Sequence, residues 1–314
     1  MSRQVIINAD DFGLSPAVNE GIIKAYHAGG ITSTSMMVNM PGFNHAVRSA
    51  WSLPDFGIGL HFNLTYGRSI SDPDSVPSLV RPDGTFHNGI RTSVRDSDDV
   101  ARELDAQWNR FVGTSLYPAH LDSHHLLHQN DPLIYKVMAE KAIRENIPLR
   151  RSQIVHSIPN VPNPLMSNTI LLDTYGDQEG LQRLLHHLFS LPEGITEIVC
   201  HPGYVDDVLR GISEWTDIRE DELSVFINEE VPQTIQALGI VPISYKAMMD
   251  TPDEPCELSE LPEIPRPSQP IKKKILLAGP RPHRELKRKR KTRRWFKKRG
   301  TKPRPSATRI RKRV

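Results

Sequence analysis

Short apolar runs alternate with longer amphipathic segments from residue 4 to about residue 250. Runs such as Val5-Ile6-Ile7 and Ile198-Val199-Cys200 are each followed by polar residues or by turn-forming residues, a pattern that predicts strands. The predicted strands are residues 5–10, 35–38, 57–61, 120–122, 149–152, 198–201 and 241–244.

Helices are predicted between these strands, and several carry clear start or stop signals. Ser15-Pro16 places a capping hydroxyl before a proline at the first helical position, and Gly29-Gly30 ends the same helix at about His27. The other predicted helices are residues 44–50, 97–112 with a cap at Ser97-Asp98-Asp99, 131–144 opened by Asp131-Pro132, 178–190 and 219–238.

This alternation implies parallel strands joined by right-handed crossovers. About seven such units predict an α/β fold, an irregular (β/α) barrel rather than an open sheet. Two long excursions, residues 66–96 and 153–177, interrupt the alternation and are rich in Pro, Asp, Ser and Asn. Loops of this length in a compact domain are usually functional, so both are predicted to be lids or substrate walls.

Charge divides the 314 residues into three regions. Residues 1–250 hold the predicted barrel, and residues 251–270 hold six prolines and five acids, which is typical of a linker. Residues 271–314 carry 21 Lys and Arg against one acid, so the tail has a charge of +20 and the rest of the chain −17. Because charges repel and apolar residues are scarce, the tail is predicted to be disordered in isolation.

Candidate metal ligands follow three of the apolar runs. They lie in Asn8-Ala9-Asp10-Asp11-Phe12-Gly13, in Gly59-Leu60-His61-Phe62-Asn63 and in His120-Leu121-Asp122-Ser123-His124-His125. The C-terminal ends of barrel strands meet at one face, so these side chains are expected to converge. One carboxylate and two imidazoles can bind a divalent cation and leave positions open for water and substrate.

Each of these segments also has an ordinary structural interpretation. The pair Asp10-Asp11 before Phe-Gly is compatible with a turn that caps a helix. His61, in an apolar strand, is compatible with a buried core histidine. The four histidines from His120 to His128 are compatible with a chance cluster on the surface. The chemical interpretation gains its support from the three segments together.

Two further residues at strand ends are candidates for the reaction. His201 follows an apolar strand and precedes Pro202-Gly203, which suits a general acid that protonates a leaving amine, or a histidine at a turn. Arg150, followed by Arg151, is a candidate to bind a carboxylate, a phosphate or a sugar hydroxyl, or to form a salt bridge across the barrel mouth.

Other features narrow the class of protein. The chain has no Gly-x-Gly-x-x-Gly after its first strand, no phosphate loop ending in Gly-Lys-Ser/Thr and no Gly-x-Ser-x-Gly elbow. Its two cysteines, Cys200 and Cys256, fit a reducing compartment. Without a signal-peptide pattern or an apolar run long enough to span a membrane, a cytoplasmic protein is expected.

Five segments together resemble the YdjC-like carbohydrate deacetylases, whose members include chitooligosaccharide deacetylases and proteins associated with hopanoid biosynthesis. They are residues 8–15 (NADDFGLS), 32–34 (TST), 59–65 (GLHFNLT), 120–125 (HLDSHH) and 200–203 (CHPG). The resemblance covers residues 4 to about 250 and implies an irregular (β/α) barrel of the glycoside hydrolase/deacetylase type.

The resemblance also implies an activity and roles for single residues. The expected reaction is metal-dependent hydrolysis of the acetamide of an N-acetylated sugar, an oligosaccharide or a glycolipid, with release of acetate. Carried over by motif, Asp11, His61 and His124 are the metal ligands. Asp10 is the general base, His201 the general acid and Arg150 a residue facing substrate.

The cofactor and the partners are less narrowly defined. The family's metal is Mg²⁺, whereas two imidazoles and a carboxylate suit Zn²⁺ or another transition ion better. The same ligand set also occurs in non-haem iron oxygenases, which is the alternative enzyme class. For the tail, which contains Trp295 and Phe296 among its charges, two interpretations stay open. It binds nucleic acid or an anionic membrane, or it is a solvated tail without a binding role. A homodimer is one open alternative for the oligomeric state.

Overall fold

The protein is described by a computed structural model, which covers residues 2–87, 95–154 and 164–249. The chain divides into two units, residues 1–256 and 257–314, and the second lies wholly outside the described residues, as do the predicted linker and tail. In the described ranges, no helix is both long enough and apolar enough to cross a membrane.

The centre of the fold is a parallel sheet. Its strands are β1 (Arg3–Phe12), β2 (Ser33–Met36), β3 (Gly57–Phe62), β4 (Leu121–Ser123), β5 (Thr169–Leu171), β6 (Gly194–Cys200) and β7 (Val241–Pro242). They are arranged in the order β4-β3-β2-β1-β6-β5, and β7 also pairs with β1. The α/β fold with a curled parallel sheet is therefore confirmed, and no pairing in the described part of the chain joins β4 to β5.

Helices surround this sheet. They are α1 (Pro16–His27), α2 (Phe43–Ala50), α3 (Ser97–Val112), α4 (Leu127–Asn130), α5 (Pro132–Arg144), α6 (Gly180–Phe189), α7 (Asp207–Ile212), α8 (Asp217–Phe226), α9 (Glu230–Ala237) and α10 (Tyr245–Met249). Short 3₁₀ turns occur at Pro73–Ser75 and His124–Leu126.

Local capping explains why the first helices begin where the sequence predicts. The Ser15 hydroxyl accepts a hydrogen bond from the Val18 backbone N–H, and Asp131 accepts from the first turn of α5 in the same way. The helix α3 has the predicted bounds, but its cap is Asp96 rather than the predicted Ser97-Asp98-Asp99 segment. The Asp96 side chain accepts from the N–H groups of Asp98 and Asp99.

β1 is the central strand because it is apolar on both faces. Val5, Ile6 and Ile7 are completely buried, and the strand pairs with β6 continuously from Arg3 to Ala9. Strands with cover on both faces are typical of parallel sheets flanked by helices. The C-terminal ends of β1, β3, β4 and β6 consequently lie along one edge of the sheet, where the candidate site forms.

The structure differs from the predicted elements most clearly in three segments. Within the described residues, segment 149–152 contributes only a single bridge, between Leu149 and Leu121, instead of a strand. The predicted helix 219–238 is two helices, α8 and α9, because the Asn228 side chain accepts from the Glu230 N–H and favours a local turn. The excursion 153–177 contains β5, which the sequence pattern missed.

The first excursion is held against α3 by buried carboxylates of that helix. The two oxygens of Glu103 accept hydrogen bonds of 2.9 Å from the backbone N–H groups of Ile70 and Ser71. Asp99 accepts a third from the Ser78 N–H, also at 2.9 Å. These contacts fix the segment that places Tyr66 at the cavity described below; residues 88–94 and 155–163 of the two excursions lie outside the described residues.

Candidate metal centre

A β-bulge near the end of β1 brings two neighbouring carboxylates to the same cavity. Between Ala9 and Phe12, β1 advances three residues while β2 advances two, from Thr34 to Met36. Asp11 has a φ of 73°, in the left-handed region. In a regular strand, neighbouring side chains point to opposite faces, but here Asp10 and Asp11 both line one cavity of about 660 Å³.

Asp11, His61 and His124 form a compact set of candidate ligands. His61 lies on β3, and His124 opens the turn that follows β4. Asp11 Oδ1 lies 3.4 Å from His61 Nε2 and 3.1 Å from His124 Nδ1. One ligand atom from each of the three buried residues lies within 4.8 Å of the others. The structure thus brings together the three residues predicted to bind the metal.

The orientation of His61 is set by Asp122. His61 Nδ1 lies 2.8 Å from Asp122 Oδ1, so a proton on Nδ1 leaves the lone pair of Nε2 for a cation. Burial lowers the pKa of His61, but Asp122 and Asp10 oppose this effect and raise it to about 10. Surroundings that stabilise positive charge on this ring also favour a bound cation.

Asp10 is held by Arg150. The guanidinium donates from Nη2 to Asp10 Oδ1 at 2.6 Å and from Nη1 to Asp10 Oδ2 at 2.7 Å. Burial raises the pKa of Asp10, but Arg150 outweighs this effect and the net pKa is lowered. Asp10 is therefore an ionised carboxylate in a fixed orientation.

Arg150 also contacts two deeper carboxylates. Its Nη1 lies 2.8 Å from Asp122 Oδ2, and its Nε donates to Glu197 Oε1 at 2.8 Å. Glu197 in turn accepts a hydrogen bond of 2.5 Å from the Tyr245 hydroxyl. The side chain of Arg150 has no exposed surface and does not line the cavity, so the expectation that it faces substrate needs correction. It lies beneath the site and supports Asp10.

Asp11 has an arginine of its own. Arg219, in the first turn of α8, donates from Nη2 to Asp11 Oδ2 at 2.6 Å. Burial raises the pKa of Asp11, but Arg219 and His124 outweigh this effect and hold it well below its ordinary value.

The charge and the donor set fit a divalent cation. Burial raises the pKa of Asp122 as well, yet Arg150 and His61 leave it lowered, as for Asp10 and Asp11. When His61 is neutral, as a metal ligand has to be, the three ionised carboxylates face only two guanidiniums, Arg150 and Arg219, and leave an excess of negative charge. Two imidazoles and one carboxylate oxygen form a donor set that suits such a cation.

His201 joins the same cavity from the end of β6. Its Nε2 lies 3.9 Å from Asp10 Oδ2, and its ring lies 4.9 Å from the ring of Trp215. The backbone N–H of His201 donates to Glu222 Oε2 at 2.6 Å. An imidazole thus stands near the carboxylate of Asp10, and its main chain is held by a buried acid of α8.

Comparison with known proteins identifies the family of the chain. The protein-family model described as YdjC-like protein matches residues 4–237 of the chain. The chain belongs to the YdjC-like family. The family inferred from the sequence motifs is thereby confirmed.

Relatives of this YdjC-like protein carry names that refer to deacetylation. A carbohydrate deacetylase of Geobacillus stearothermophilus is 37% identical over 250 residues, which are 78% of this chain and 98% of that protein. A chitooligosaccharide deacetylase of Salmonella paratyphi B is 34% identical over 255 residues, 78% of this chain and 99% of that protein.

The crystal structure of a protein of Enterococcus faecalis V583, which is named for cellobiose-phosphate cleavage, has the same fold. It superposes with a TM-score of 0.72 at 30% identity and covers 79% of this chain and 99% of that protein.

The histidine-rich segment of this YdjC-like protein is divided between the site and the core. His124 and His125 line the cavity, whereas His120 and His128 are buried away from it. His120 stacks on Tyr245 with ring centroids 3.9 Å apart, and His128 Nδ1 lies 2.6 Å from the Ser123 hydroxyl. Burial lowers the pKa of His120 and of His128 to about 3, so both are neutral core residues.

Several residues of the site were missed by the sequence analysis. Tyr66 and Trp215 contribute aromatic walls, and Arg219 and Glu222 support the site from α8. Arg219 and Glu222 lie three residues apart and so share one face of the helix. In the sequence they stand among five charged residues, Arg219-Glu220-Asp221-Glu222 and Asp217 before them, which resemble an ordinary solvated helix surface.

Proposed function

We propose that this YdjC-like protein is a metal-dependent carbohydrate deacetylase. It hydrolyses the acetamide of an N-acetylated sugar and releases acetate. The observation that carries this proposal is the convergence of Asp11, His61 and His124 within 4.8 Å beside the separate carboxylate Asp10. The names of its relatives support the same activity.

In this proposal Asp11, His61 and His124 hold the cation. When bound, a divalent cation polarises the acetyl carbonyl and lowers the pKa of a water molecule next to it. Asp10 accepts the proton of the attacking water, and its lowered pKa keeps it ready to do so at neutral pH. Arg150 fixes the direction of that carboxylate.

His201 acts on the leaving group. As the water oxygen forms its bond to the acetyl carbon, the bond between that carbon and the sugar nitrogen breaks. The imidazole of His201 donates a proton to the nitrogen, which leaves as the amine of the sugar. Its position near Asp10, at 3.9 Å, allows both side chains to reach one reacting group, so that one accepts a proton and the other donates one.

The family resemblance implies Mg²⁺ as the bound metal. We propose Zn²⁺ or another transition ion as the alternative that the ligand set favours. Imidazole ligands suit these ions better than they suit Mg²⁺, which prefers oxygen ligands. Reconstitution with each ion in turn, followed by elemental analysis, distinguishes them.

A non-haem oxygenase is the alternative that uses the same two histidines and one carboxylate. It leaves unexplained why Asp10 is held in the same cavity by a dedicated arginine. Acetate release and oxygen uptake, measured on the same reconstituted enzyme, separate the two activities.

The direct test is acetate release from a panel of N-acetylated sugars, beginning with chitooligosaccharides of increasing length. We expect turnover that a chelator abolishes and added metal restores. His124→Ala should lose both the metal and the activity, because it removes one of three ligands. His186→Ala is the matched control, since His186 is exposed on α6 and away from the cavity. Full metal occupancy in His124→Ala would exclude the proposed ligand set.

For residues 271–314 we propose electrostatic binding to an anionic polymer or surface, nucleic acid or anionic lipid. The charge of +20 supports it, because each neutralised phosphate releases counterions.

A further inference from the structure

Asp11 presents its two oxygens to different partners. Oδ1 faces the imidazoles of His61 and His124, at 3.4 and 3.1 Å. Oδ2 lies 2.6 Å from Arg219 Nη2, in a short charge-assisted hydrogen bond between two groups that are almost completely buried.

From this division we propose that Arg219 is a positioning residue of the metal centre, which restricts Asp11 to binding the cation through one oxygen. The inference rests on the metal site of the proposed function. A carboxylate free to rotate can bind a cation through both oxygens, which uses an additional coordination position. Because Arg219 occupies Oδ2, that position stays open for water and for the acetyl oxygen of the substrate.

Arg219 is itself held firmly in place. Its Nε donates to the Trp215 backbone carbonyl at 3.0 Å, and its guanidinium carbon lies 5.9 Å from the centre of the Trp215 ring. Its Nη1 has no hydrogen-bond partner among the described residues, so the guanidinium is committed to Asp11 and to the main chain of Trp215. A planar guanidinium fixed from two sides can impose an orientation on a carboxylate, which a flexible ammonium does less well.

The helix that carries Arg219 also reaches the other half of the site. The Arg219 carbonyl accepts a hydrogen bond of 3.1 Å from the Gly203 N–H, and Glu222 accepts from the His201 N–H. The helix α8 therefore couples the end of β1, which carries Asp11, to the end of β6, which carries His201. The backbone of Asp11, with its φ of 73°, is fixed by the bulge. The side chain can still rotate, and the contact with Arg219 restricts that rotation.

The test compares Arg219→Gln and Arg219→Lys with the unchanged protein. Metal affinity is measured by competition with a chelator, and the coordination number by the visible spectrum of the Co²⁺-loaded protein. We expect the metal Kd to rise by ~10-fold or more in Arg219→Gln, the usual effect of removing a group that orients a ligand. Its Co²⁺ bands should shift in intensity as Asp11 changes from one bound oxygen to two.

Arg219→Lys keeps the charge but not the planar fork, so its affinity and spectrum should lie between those of the other two proteins. It also serves as the decisive variant if Arg219→Gln does not fold. Arg210→Gln is the matched control, because Arg210 is exposed and pairs with Asp217 rather than with the site. Its metal Kd and spectrum should equal those of the unchanged protein.

Two outcomes have different meanings. If the unchanged protein binds no divalent ion, the proposed function fails. If it binds the ion, and Arg219→Lys binds with the same Kd and the same spectrum, the proposed function stands and the role of Arg219 is overturned.

Discussion

Asp10 and Asp11 are neighbours in sequence, yet they belong to two different regions of the molecule. Asp10 is part of the floor, which we define as Asp10, Arg150, Asp122, Glu197 and Tyr245. Asp10 lines the cavity, and the other four residues of the floor are completely buried behind it. Asp11 is part of the wall, which consists of Asp11, Arg219, His124 and Trp215 and is contributed by the end of β1, by loops and by α8.

The difference lies in how each arginine shares its charge. In the floor, Arg150 is divided among three carboxylates and binds Asp10 through both of its oxygens. In the wall, Arg219 contacts one oxygen of Asp11 and leaves the other facing the histidines. A carboxylate with both oxygens held keeps a fixed orientation, which suits a base that accepts a proton from one position. A carboxylate with one oxygen free is suited to bind a cation through that oxygen.

The largest expected effect comes from exchanging each acid for its amide. Asp10→Asn should keep the metal and lose turnover by ~10²-fold or more, because a base is removed while the ligands remain. Asp11→Asn should lose most of the metal as well as the activity, because an anionic ligand is removed. Elemental analysis and acetate release are measured on both variants. A reversed result, with the metal lost in Asp10→Asn and kept in Asp11→Asn, would exchange the two roles.

A smaller effect is expected when the floor is loosened. Arg150→Lys keeps a positive charge but cannot hold both oxygens of Asp10, so kcat should fall by ~10-fold, the scale for groups that orient a functional residue. Burial raises the pKa of Asp10 and Arg150 lowers it. Weakening the arginine contact therefore raises that pKa, and the acidic limb of kcat/KM should move to higher pH.

Arg151→Lys is the control for this variant. Arg151 is next in sequence, but its guanidinium donates to the Ser167 carbonyl rather than to a carboxylate of the site. Its acidic limb should coincide with that of the unchanged enzyme. An acidic limb that stays in place in Arg150→Lys would show that Arg150 does not control the ionisation of Asp10.

The smallest effect on turnover is expected from truncation after residue 270. Both the floor and the wall lie within residues 10–245, so the shortened enzyme should fold and hydrolyse a small substrate at an unchanged rate. The full chain, with the tail of +20, should bind duplex DNA or anionic vesicles, and the affinity should fall steeply with salt. Loss of activity on truncation would show that the catalytic domain extends beyond residue 270. Binding that does not change with salt would contradict the proposal that the tail binds through its charge.

Local signals in the sequence were sufficient for much of the fold. The bounds of α3, the opening of α5 by Asp131 and the start of α1 at Ser15-Pro16 follow from capping side chains that act within a few residues. The segment 149–152, Leu-Arg-Arg-Ser, was predicted as a strand. It forms only one bridge, at Leu149, and the next residue instead sends its side chain into the floor.

The candidate metal ligands at the strand ends could also be predicted from the sequence. The residue types and the order of the motifs identify the YdjC-like family without any coordinates. Asp11, His61 and His124 were proposed as a set and do meet, because the C-terminal ends of parallel strands share one edge. The bulge at Asp10 and Asp11 was not predictable, because it depends on the register of β1 against β2.

The family, the alternation of strands and helices, and the candidate metal ligands therefore follow from the amino-acid sequence. The tertiary structure alone decided which arginine serves which carboxylate: Arg150 lies 140 residues from Asp10, and Arg219 lies 208 residues from Asp11. Capping and periodicity depend on neighbours along the chain, which the sequence states directly. A buried ion pair depends on the path of the whole chain, since either arginine could compensate either acid until the fold brings one of them within reach.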